Sequence, residues 1–239
     1  MPYRTPALRK AKVFVVGGNT PGTSEASLMN NLFSCKQALE LAEADIVIHT
    51  GGEDVCPSLY GEAPTISGGK HSNLRRDSED IEAYRNSQGK MHIGICRGGQ
   101  FLNVMNGGKL WQHVNNHGGT HRVLDTRRPS GEEWWCSSTH HQQFRPARDA
   151  VIVGIGIKSA ANGLGMSTYK EAEGVTWATE DGGQIGSLSY ADHEEGKVDY
   201  EVLWYPRTRT LCFQPHPEYS MPLQTAKFFD SVVSQYYKE

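Results

Sequence analysis

The chain has 239 residues, 37% of them hydrophobic, with 24 basic against 27 acidic side chains and a formal net charge of −3. This length favours one full-sized α/β domain, and we expect residues 1–239 to form a single domain. The longest run without a strongly polar side chain, Ala150–Ile157, is much shorter than the roughly 20 residues that cross a bilayer. The small net charge provides no field that attracts nucleic acid or an anionic membrane. We therefore expect neither as a partner.

The positions of the five cysteines argue against a zinc ribbon and a redox dithiol. They stand at positions 35, 56, 96, 136 and 212 without a Cys-x-x-Cys pair, so neither a zinc ribbon nor a redox dithiol is predicted. The first residues lead into charges rather than into the apolar segment typical of a secretory signal. The sequence therefore predicts free thiols and a cytoplasmic location.

The first half of the chain alternates strand and helix patterns. Short β-branched runs predict strands, at Lys12–Val16, Ala44–His49 and Met91–Ile95, with Leu32–Cys35 as a further candidate. Helix formers predict helices within residues 24–43, including the patch Lys36–Ala44, and at Arg75–Gln88 and Arg97–Met105. This alternation is typical of a parallel sheet that is covered on both faces.

The second half has a different pattern. Short strand-like runs at 151–157, 174–180, 200–205 and 210–213 alternate with Gly, Asn and Asp, and a single helix is predicted at Leu223–Tyr237. We expect these strands to form an antiparallel or mixed extension of the sheet. The predicted fold class is therefore α/β: a three-layer sandwich with a mainly parallel central sheet, helices on both faces and an antiparallel extension in the second half.

The most informative stretch is His92–Gln100, where a predicted strand runs into Cys96 and a helix follows. Gly94, Gly98 and Gly99 surround the cysteine in the pattern Gly-x-Cys-x-Gly. In a nucleophile elbow of this kind the tight turn exposes the sulfur at the carboxyl edge of the sheet. It also places the sulfur at a helix N-terminus, which favours the thiolate. The alternative is a buried structural cysteine at the end of a strand.

A second motif, Gln214-Pro-His216-Pro-Glu218, follows the predicted strand Thr210–Phe213. A thiolate nucleophile needs a base that carries protons, and that base usually has an orienting acid. The prolines keep His216 out of a helix, and Glu218 is near enough to bond one imidazole nitrogen. The alternative is a surface turn in which the histidine has no catalytic role. This alternative is less favoured because both motifs follow strands of one predicted sheet.

Three further blocks complete a family pattern. They are HTGGEDVCPSLYGE at 49–62, GGKLWQ at 107–112 and SSTHHQ at 137–142. With the elbow and the His-x-Glu turn, they resemble the class I glutamine amidotransferases, most closely the peptidase C26-like branch that includes the γ-glutamyl-γ-aminobutyrate hydrolases. The resemblance covers about residues 44–142 and 200–220, and it implies a flavodoxin-like fold.

The resemblance also implies a role for each matched position. Cys96 would attack the side-chain amide of a γ-glutamyl group and form a thioester, while His216 would move protons and Glu218 would orient it. Two backbone amides, those of Gly52 and Arg97, would stabilise the oxyanion. The remaining matched positions correspond to substrate-binding residues of the family. These are Gly51, Gln100, Ser138, Thr139 and His140.

Two departures from the family pattern concern the chain between the blocks. Fewer residues separate the first strand from Gly51 than two βα units need, so one unit is shortened. Residues 154–199, which contain Trp177 and His193, have no counterpart that aligns. Because that segment falls where an amine-side pocket would be shaped, the identity of the substrate stays open.

We expect no metal and no cofactor. His113, His117 and His121 are spaced by four, as metal ligands on a helix would be, but Gly118-Gly119 interrupts any such helix. The glycine pairs at 17–18 and 51–52 lack both Gly-x-Gly-x-x-Gly and a P-loop lysine, so nucleotide binding is not predicted.

The leading hypothesis is a cysteine-dependent amidohydrolase acting on glutamine or a γ-glutamyl amine. A glutaminase subunit that passes ammonia to a separate synthetase or ligase is the first alternative. A cysteine peptidase or deglycase on the same scaffold is disfavoured, because a histidine would then be expected directly after the cysteine, where this chain has Arg97. A non-catalytic binding module is the third alternative, and the competent residues at all three triad positions argue against it.

Overall fold

The computed structural model describes residues 11–16, 36–64, 72–112, 114, 117–128, 131–157, 177–178, 184–185 and 199–237. The strands in chain order are β1 Lys12–Val15, β2 Lys36–Gln37, β3 Ile46–His49, β4 Met91–Ile95, β5 Lys109–Trp111, β6 Gly118–Asp125, β7 Glu132–Thr139, β8 Gln143–Arg145, β9 Val151–Ile157, β10 Trp177–Ala178, β11 Gln184–Ile185, β12 Tyr200–Tyr205 and β13 Thr210–Phe213. The α-helices are α1 Leu74–Asn86, α2 Arg97–Met105 and α3 Leu223–Tyr236.

A nine-stranded sheet in the order β2-β1-β3-β4-β13-β12-β9-β6-β7 forms the centre of the described structure. The first five strands run parallel, in the order typical of flavodoxin-like folds, and the last four pair antiparallel. The predicted fold class is confirmed, including the antiparallel extension. The extension also takes in β6 and β7, which precede the segment in which it was expected.

Alternating side chains of the parallel strands pack into two apolar layers, one on each face of the sheet. On one face Phe213 contacts Phe228 and Phe229 of the helix α3, in an apolar cluster that also includes Ile93. On the other face α2 packs with Phe101 and Leu102. Helices therefore cover both faces, as predicted. No helix in the described ranges combines the length and apolar character needed to cross a membrane.

The patch Lys36–Ala44 is not helical, contrary to the prediction. Lys36–Gln37 pairs with β1 as a parallel edge strand, and Leu41–Glu43 forms a single 3₁₀ turn. Backbone pairing along β1 overrides the helix propensity of these residues, and only residues 38–45 separate β2 from β3. This short connection agrees with the expected shortening of one βα unit.

Several predictions fall on residues outside the described ranges. They are the part of the predicted helix that falls within residues 24–35, the candidate strand Leu32–Cys35 and the ends of the strand-like run 174–180, which lies in the largely undescribed residues 158–198. Within that last segment the structure describes only β10 and β11, which pair antiparallel with each other.

Candidate active site

Cys96 occupies a strained turn between β4 and α2. Its backbone has φ 51° and ψ −113°, in the left-handed half of φ that non-glycine residues rarely adopt. The Cys96 amide donates to the Phe213 carbonyl at 2.8 Å, and its carbonyl accepts from the Gln100 amide at 3.0 Å as the helix begins. The strand-to-helix elbow predicted from the sequence is therefore present.

The glycines around Cys96 are required by crowding. A Cβ at Gly94 would lie 2.3 Å from the carbonyl oxygen of Gly98, and one at Gly98 would lie 2.0 Å from that of His49. The first turn of α2 thus packs directly on the backbone ends of β3 and β4. This close approach holds the thiol at the carboxyl edge of the sheet, as the pattern Gly-x-Cys-x-Gly indicates.

His216 reaches the cysteine because β13 lies beside β4. The register pairs Phe213 with Ile95, so the residues that follow both strands leave the sheet at the same level. His216 Nδ1 lies 2.7 Å from Glu218 Oε1, and its backbone amide donates to Ser137 Oγ at 2.7 Å. Its ring stacks on that of Tyr219 at 4.4 Å. Glu218 and Tyr219 therefore hold the imidazole, and Ser137 holds the backbone that carries it.

The charge state of His216 follows from its partners. Burial disfavours the imidazolium, but the hydrogen bond with Cys96, then that with Glu218, and the charges of both groups raise the pKa of His216 to about 11. At neutral pH the imidazole is therefore protonated. A protonated imidazole beside Cys96 favours the thiolate form that a nucleophile requires.

Gly51 and Gly52 border this pair at the carboxyl end of β3. A Cβ at Gly51 would come within 3.2 Å of His216 Cε1 and 3.8 Å of Cys96 Cβ. Gly52 has φ 151°, which glycine adopts more readily than other residues, although a Cβ there would meet nothing within 4 Å. The structure thus brings Gly51 into contact distance of the predicted triad.

The side chain of Arg97 is buried and is directed toward the helix α1. Its guanidinium donates to Asp80 and Asp77 of α1, and Asp80 also bonds His49 Nδ1 at 2.6 Å and Arg76 Nε at 2.9 Å. Burial opposes ionisation of Asp80, but His49, then Arg97 and Arg76, hold its pKa well below the usual range. Arg97 therefore fastens α1 to the start of α2, which leaves its backbone amide as the group predicted to stabilise an oxyanion.

Gln100 lies beneath the cysteine in a network of amides. Its Nε2 donates to the Gln142 carbonyl at 2.9 Å and to Gln214 Oε1 at 3.3 Å, and Gln214 Nε2 donates to Cys96 Sγ at 3.7 Å. Gln100 thus orients Gln214 against the sulfur. Its predicted contact with substrate stays a prediction.

The segment 138–140 ends β7 near the site. Ser138 Oγ donates to the His117 carbonyl at 2.9 Å, and His140 Nδ1 donates to the Gln142 carbonyl at 3.0 Å. Thr139 between them is exposed. The polar groups of Ser138 and His140 therefore hold the loop, and Thr139 offers its side chain to solvent. Direct contact of these residues with substrate stays a prediction.

Three residues near the triad received no role from the sequence. Ser137 bonds the backbone of His216, Tyr219 stacks on its ring, and Gln214 contacts Cys96. Gln214 and Tyr219 flank the His-x-Glu turn, and Ser137 is the first residue of the block SSTHHQ. Their positions next to these motifs are the sequence feature that could have identified them. A side-chain contact across 79 residues, as between Ser137 and His216, leaves no pattern in one sequence.

The sequence comparisons agree with this geometry. A family model described as Peptidase C26 matches residues 33–162, more than half of the chain. A Schizosaccharomyces pombe protein named as a glutamine amidotransferase is 30% identical over 176 residues, which are 72% of this chain and 65% of that protein. The glutamine amidotransferase-like protein YvdE of Lactococcus lactis is 35% identical over 103 residues, or 42% of this chain and 41% of YvdE. The chain thus covers less than two thirds of either relative.

Solved structures share the fold. PurLQS from Thermotoga maritima aligns with a TM-score of 0.53 and 15% identity over 99% of both chains. A Thermoplasma acidophilum protein, described as belonging to a GMP synthase, aligns with a TM-score of 0.52 and 14% identity over 94% of both. The family model and the Schizosaccharomyces pombe relative, in agreement with the fold and the elbow, define a class I glutamine amidotransferase-like protein. Within that class the chain belongs to the peptidase C26 family.

Proposed function

We propose that the protein is a cysteine-dependent amidohydrolase that cleaves the γ-amide of glutamine or of a γ-glutamyl amine. One observation carries the proposal: Cys96, in a strained elbow, lies beside His216, whose Nδ1 is 2.7 Å from the Glu218 carboxylate. Nucleophile, proton carrier and orienting acid are thus assembled in one place. The family membership supports the same chemistry.

The first half-reaction is acyl transfer to sulfur. The Cys96 thiolate attacks the amide carbon, and the amides of Gly52 and Arg97 stabilise the oxyanion of the tetrahedral intermediate. The His216 imidazolium gives its proton to the leaving nitrogen, so that ammonia or an amine departs and a γ-glutamyl thioester remains. Neutral His216 then takes a proton from water, which attacks the thioester and releases the γ-carboxylate and the thiolate.

Substrate selection falls to residues around the carboxyl edge of the sheet. We propose that Gly51 and Thr139 line the pocket directly, because Gly51 lies against His216 and Thr139 is exposed at the end of β7. Gln100, Ser138 and His140 support the same edge through the hydrogen bonds described above. The α-amino and α-carboxylate groups of a γ-glutamyl substrate are the ligands proposed for this edge.

A coupled assay for released ammonia or amine tests the proposal. We expect the wild type to hydrolyse glutamine or a γ-glutamyl amine, and Cys96→Ser to lose activity by ~10³-fold or more. Cys56→Ser is the matched control, since Cys56 is a free and more accessible thiol outside the elbow. Labelling by a glutamine-analogue electrophile should fall on Cys96 alone.

Two outcomes separate the alternatives. Activity retained by Cys96→Ser, or label on Cys56 in place of Cys96, contradicts the mechanism. By their names, the two fold neighbours are PurLQS and part of a GMP synthase. If this chain hydrolyses free γ-glutamyl compounds only when a co-purified protein is present, the role of a glutaminase subunit replaces that of an independent hydrolase.

A further inference from the structure

A buried cluster of histidines and carboxylates lies behind the β7–β8 loop, outside the catalytic triad. The strands β6, β7 and β12 bring it together from distant parts of the chain, and its most exposed side chain, His121, is only 13% accessible. Its members are His117, His121, His140, Asp199 and Glu201.

The two carboxylates of the cluster require compensation for their burial. Asp199 accepts from His117 Nε2 at 3.0 Å, Glu201 lies 3.2 Å from His121 Nε2, and the Gln143 amide donates to both carboxylates. Among the ion pairs of the described residues, the cationic partners of Asp199 and Glu201 are imidazoles. Buried carboxylates are ordinarily paired with cations or bound to metal ions.

His140 presents its Nε2 atom to this cluster. Its Nδ1 lies 3.0 Å from the Gln142 carbonyl, which only accepts, so Nδ1 carries a proton. His140 Nε2 has no hydrogen-bond partner among the described residues, and Glu201 Oε1 lies 3.7 Å away. Glu201 Oε2 also lacks a partner there, so two buried polar atoms of neighbouring side chains are unsatisfied.

We propose that this cluster is a structural Zn²⁺ site in which His117, His140 and Glu201 are ligands. The ligand atoms of this trio all lie within 4.8 Å of one another. Two nitrogen or oxygen ligands held 2.0–2.2 Å from a tetrahedral zinc ion are separated by roughly 3.3–3.6 Å. The 3.7 Å between His140 Nε2 and Glu201 Oε1 is close to that separation and too long for a hydrogen bond.

The hydrogen-bond partners of His117 and His140 match those of histidines that bind a metal ion. A metal-binding histidine usually donates its second nitrogen to a backbone carbonyl or a carboxylate. His140 does so to the Gln142 carbonyl and His117 does so to Asp199 through Nε2, so Nδ1 is the proposed ligand atom of His117. His121 Nε2, 3.2 Å from Glu201 Oε1, is placed to supply a fourth ligand. The double charge of zinc also balances the two carboxylates.

The expectation of no metal rested on helical geometry that this segment does not adopt. His117 and His121 flank and occupy the strand β6, so Gly118 and Gly119 do not separate them onto different faces. In a strand, residues four apart lie on the same side, and their ring centroids are 5.9 Å apart. His113 lies outside the described residues.

The proposed ion supports the active site from behind. The Glu201 carbonyl accepts from the Gln214 amide at 2.8 Å, and Gln214 contacts Cys96. The His117 carbonyl accepts from Ser138 Oγ and from the His140 amide. Zinc would therefore link three chain segments that end at the substrate edge. The site is closed and buried, as structural zinc sites are.

Metal content of the full chain tests this site without reference to activity. We expect chelator-treated wild type to bind about one Zn²⁺ or Co²⁺ per chain after dialysis, measured by elemental analysis, and zinc to raise its Tm. Glu201→Gln and His140→Gln should each bind at least ~10-fold more weakly, and zinc should not raise their Tm. The cobalt form should show d–d bands without a thiolate charge-transfer band.

Two control variants separate this site from other metal-binding groups. His141→Ala changes the adjacent histidine, which pairs with Asp54 at 2.7 Å outside the cluster, and Cys96→Ser removes the catalytic thiol. Both should bind zinc as the wild type does. Wild type that retains less than ~0.1 equivalent, variants of Glu201 and His140 that bind normally, or a cobalt–thiolate band would each overturn the proposal.

Discussion

At Cys96 the backbone and a neighbouring side chain act on the same sulfur. The left-handed turn places the buried thiol at the N-terminus of α2, where the amide dipoles favour a negative charge. The protonated ring of His216 favours that charge from the other side. Two contributions therefore act on the proposed nucleophile, and only the one from His216 depends on pH.

Glu218→Gln tests the part of this activation that titrates. The Glu218 carboxylate raises the pKa of His216, so its loss should move the alkaline limb of the kcat/KM profile to lower pH. We also expect kcat/KM to fall by ~10²–10⁴-fold, because the imidazole loses its orienting partner. A pH–rate profile of both enzymes measures this. An unshifted alkaline limb would show that Glu218 does not control the charge of His216.

At this scale the sequence predicts a triad, which stays a prediction, whereas it does not reveal the residues that support those three positions. Cys96, His216 and Glu218 stand in short motifs whose spacing carries chemical meaning. The side chain of Arg97 binds Asp77 and Asp80, which are 20 and 17 residues away. Buried carboxylates in a charged helix look like solvent-facing residues until the partner helix is placed. The sequence therefore predicted a role for the backbone amide of Arg97 and none for its side chain.

At the scale of elements, the contact between α1 and α2 depends on the buried Arg97. Arg97→Gln leaves Asp77 and Asp80 without their shared cation, and we expect it to lower the free energy of unfolding by about 3–5 kcal/mol. Arg75→Gln is the matched control. It removes an exposed i,i+4 pair with Glu79 on the same helix, for which a change within about 0.5 kcal/mol is expected. Equal effects in urea unfolding would contradict a structural role for the buried pairs.

The contact of α2 with the end of β3 depends on Gly98. Gly98→Ala places a Cβ 2.0 Å from the His49 carbonyl oxygen, so backbone must move, and we expect a loss of about 2–4 kcal/mol in unfolding free energy. Gly118→Ala serves as the control, since a Cβ there meets nothing within 4 Å. Urea unfolding of the two variants measures the difference. If Gly98→Ala is as stable as the control, the close packing at the elbow is wrong.

The strands β1, β3, β4 and β13 and the helices α1 and α2 could be predicted because each has a clear pattern and a turn at its end. Lys36–Ala44 was mispredicted because its residues favour a helix in isolation, whereas pairing with β1 sets the observed structure. His117 and His121 show the reverse difficulty. Their spacing suggested only a helix, and the strand geometry that brings them beside His140 depends on pairing with β7 and β9.

On the scale of the whole molecule, we propose that the chain forms one domain. A single sheet runs through both halves of the described structure, and the helix α3 contributes to the apolar layer that covers β1, β3 and β4. A layer shared in this way cannot be divided between two separately folding units. We expect one cooperative transition in urea, seen alike by circular dichroism and by tryptophan fluorescence.

The raised pKa of His216 makes the stability of the whole molecule depend on pH. The folded-state pKa of about 11 lies above the unfolded value, so the contribution is complete below about pH 6.5 and is lost as pH rises toward 11. Between these values the wild-type free energy of unfolding should fall by at most about 1.4 kcal/mol per pH unit from this group. His216→Gln lacks this dependence. Parallel pH dependences in the two proteins would contradict the assignment.

The position of β13 has a consequence for synthesis on the ribosome. This strand lies in the middle of the sheet, between β4 and β12, although it comes near the end of the chain order. While the chain is emerging, β4 lacks one neighbour and Cys96 has neither His216 nor Glu218 beside it. The sheet closes only after β13 has been made, and such late, non-local pairing slows folding. Cys96 and the His-x-Glu turn therefore come together only as the fold is completed, so under the proposed mechanism a partly made chain carries an unactivated cysteine.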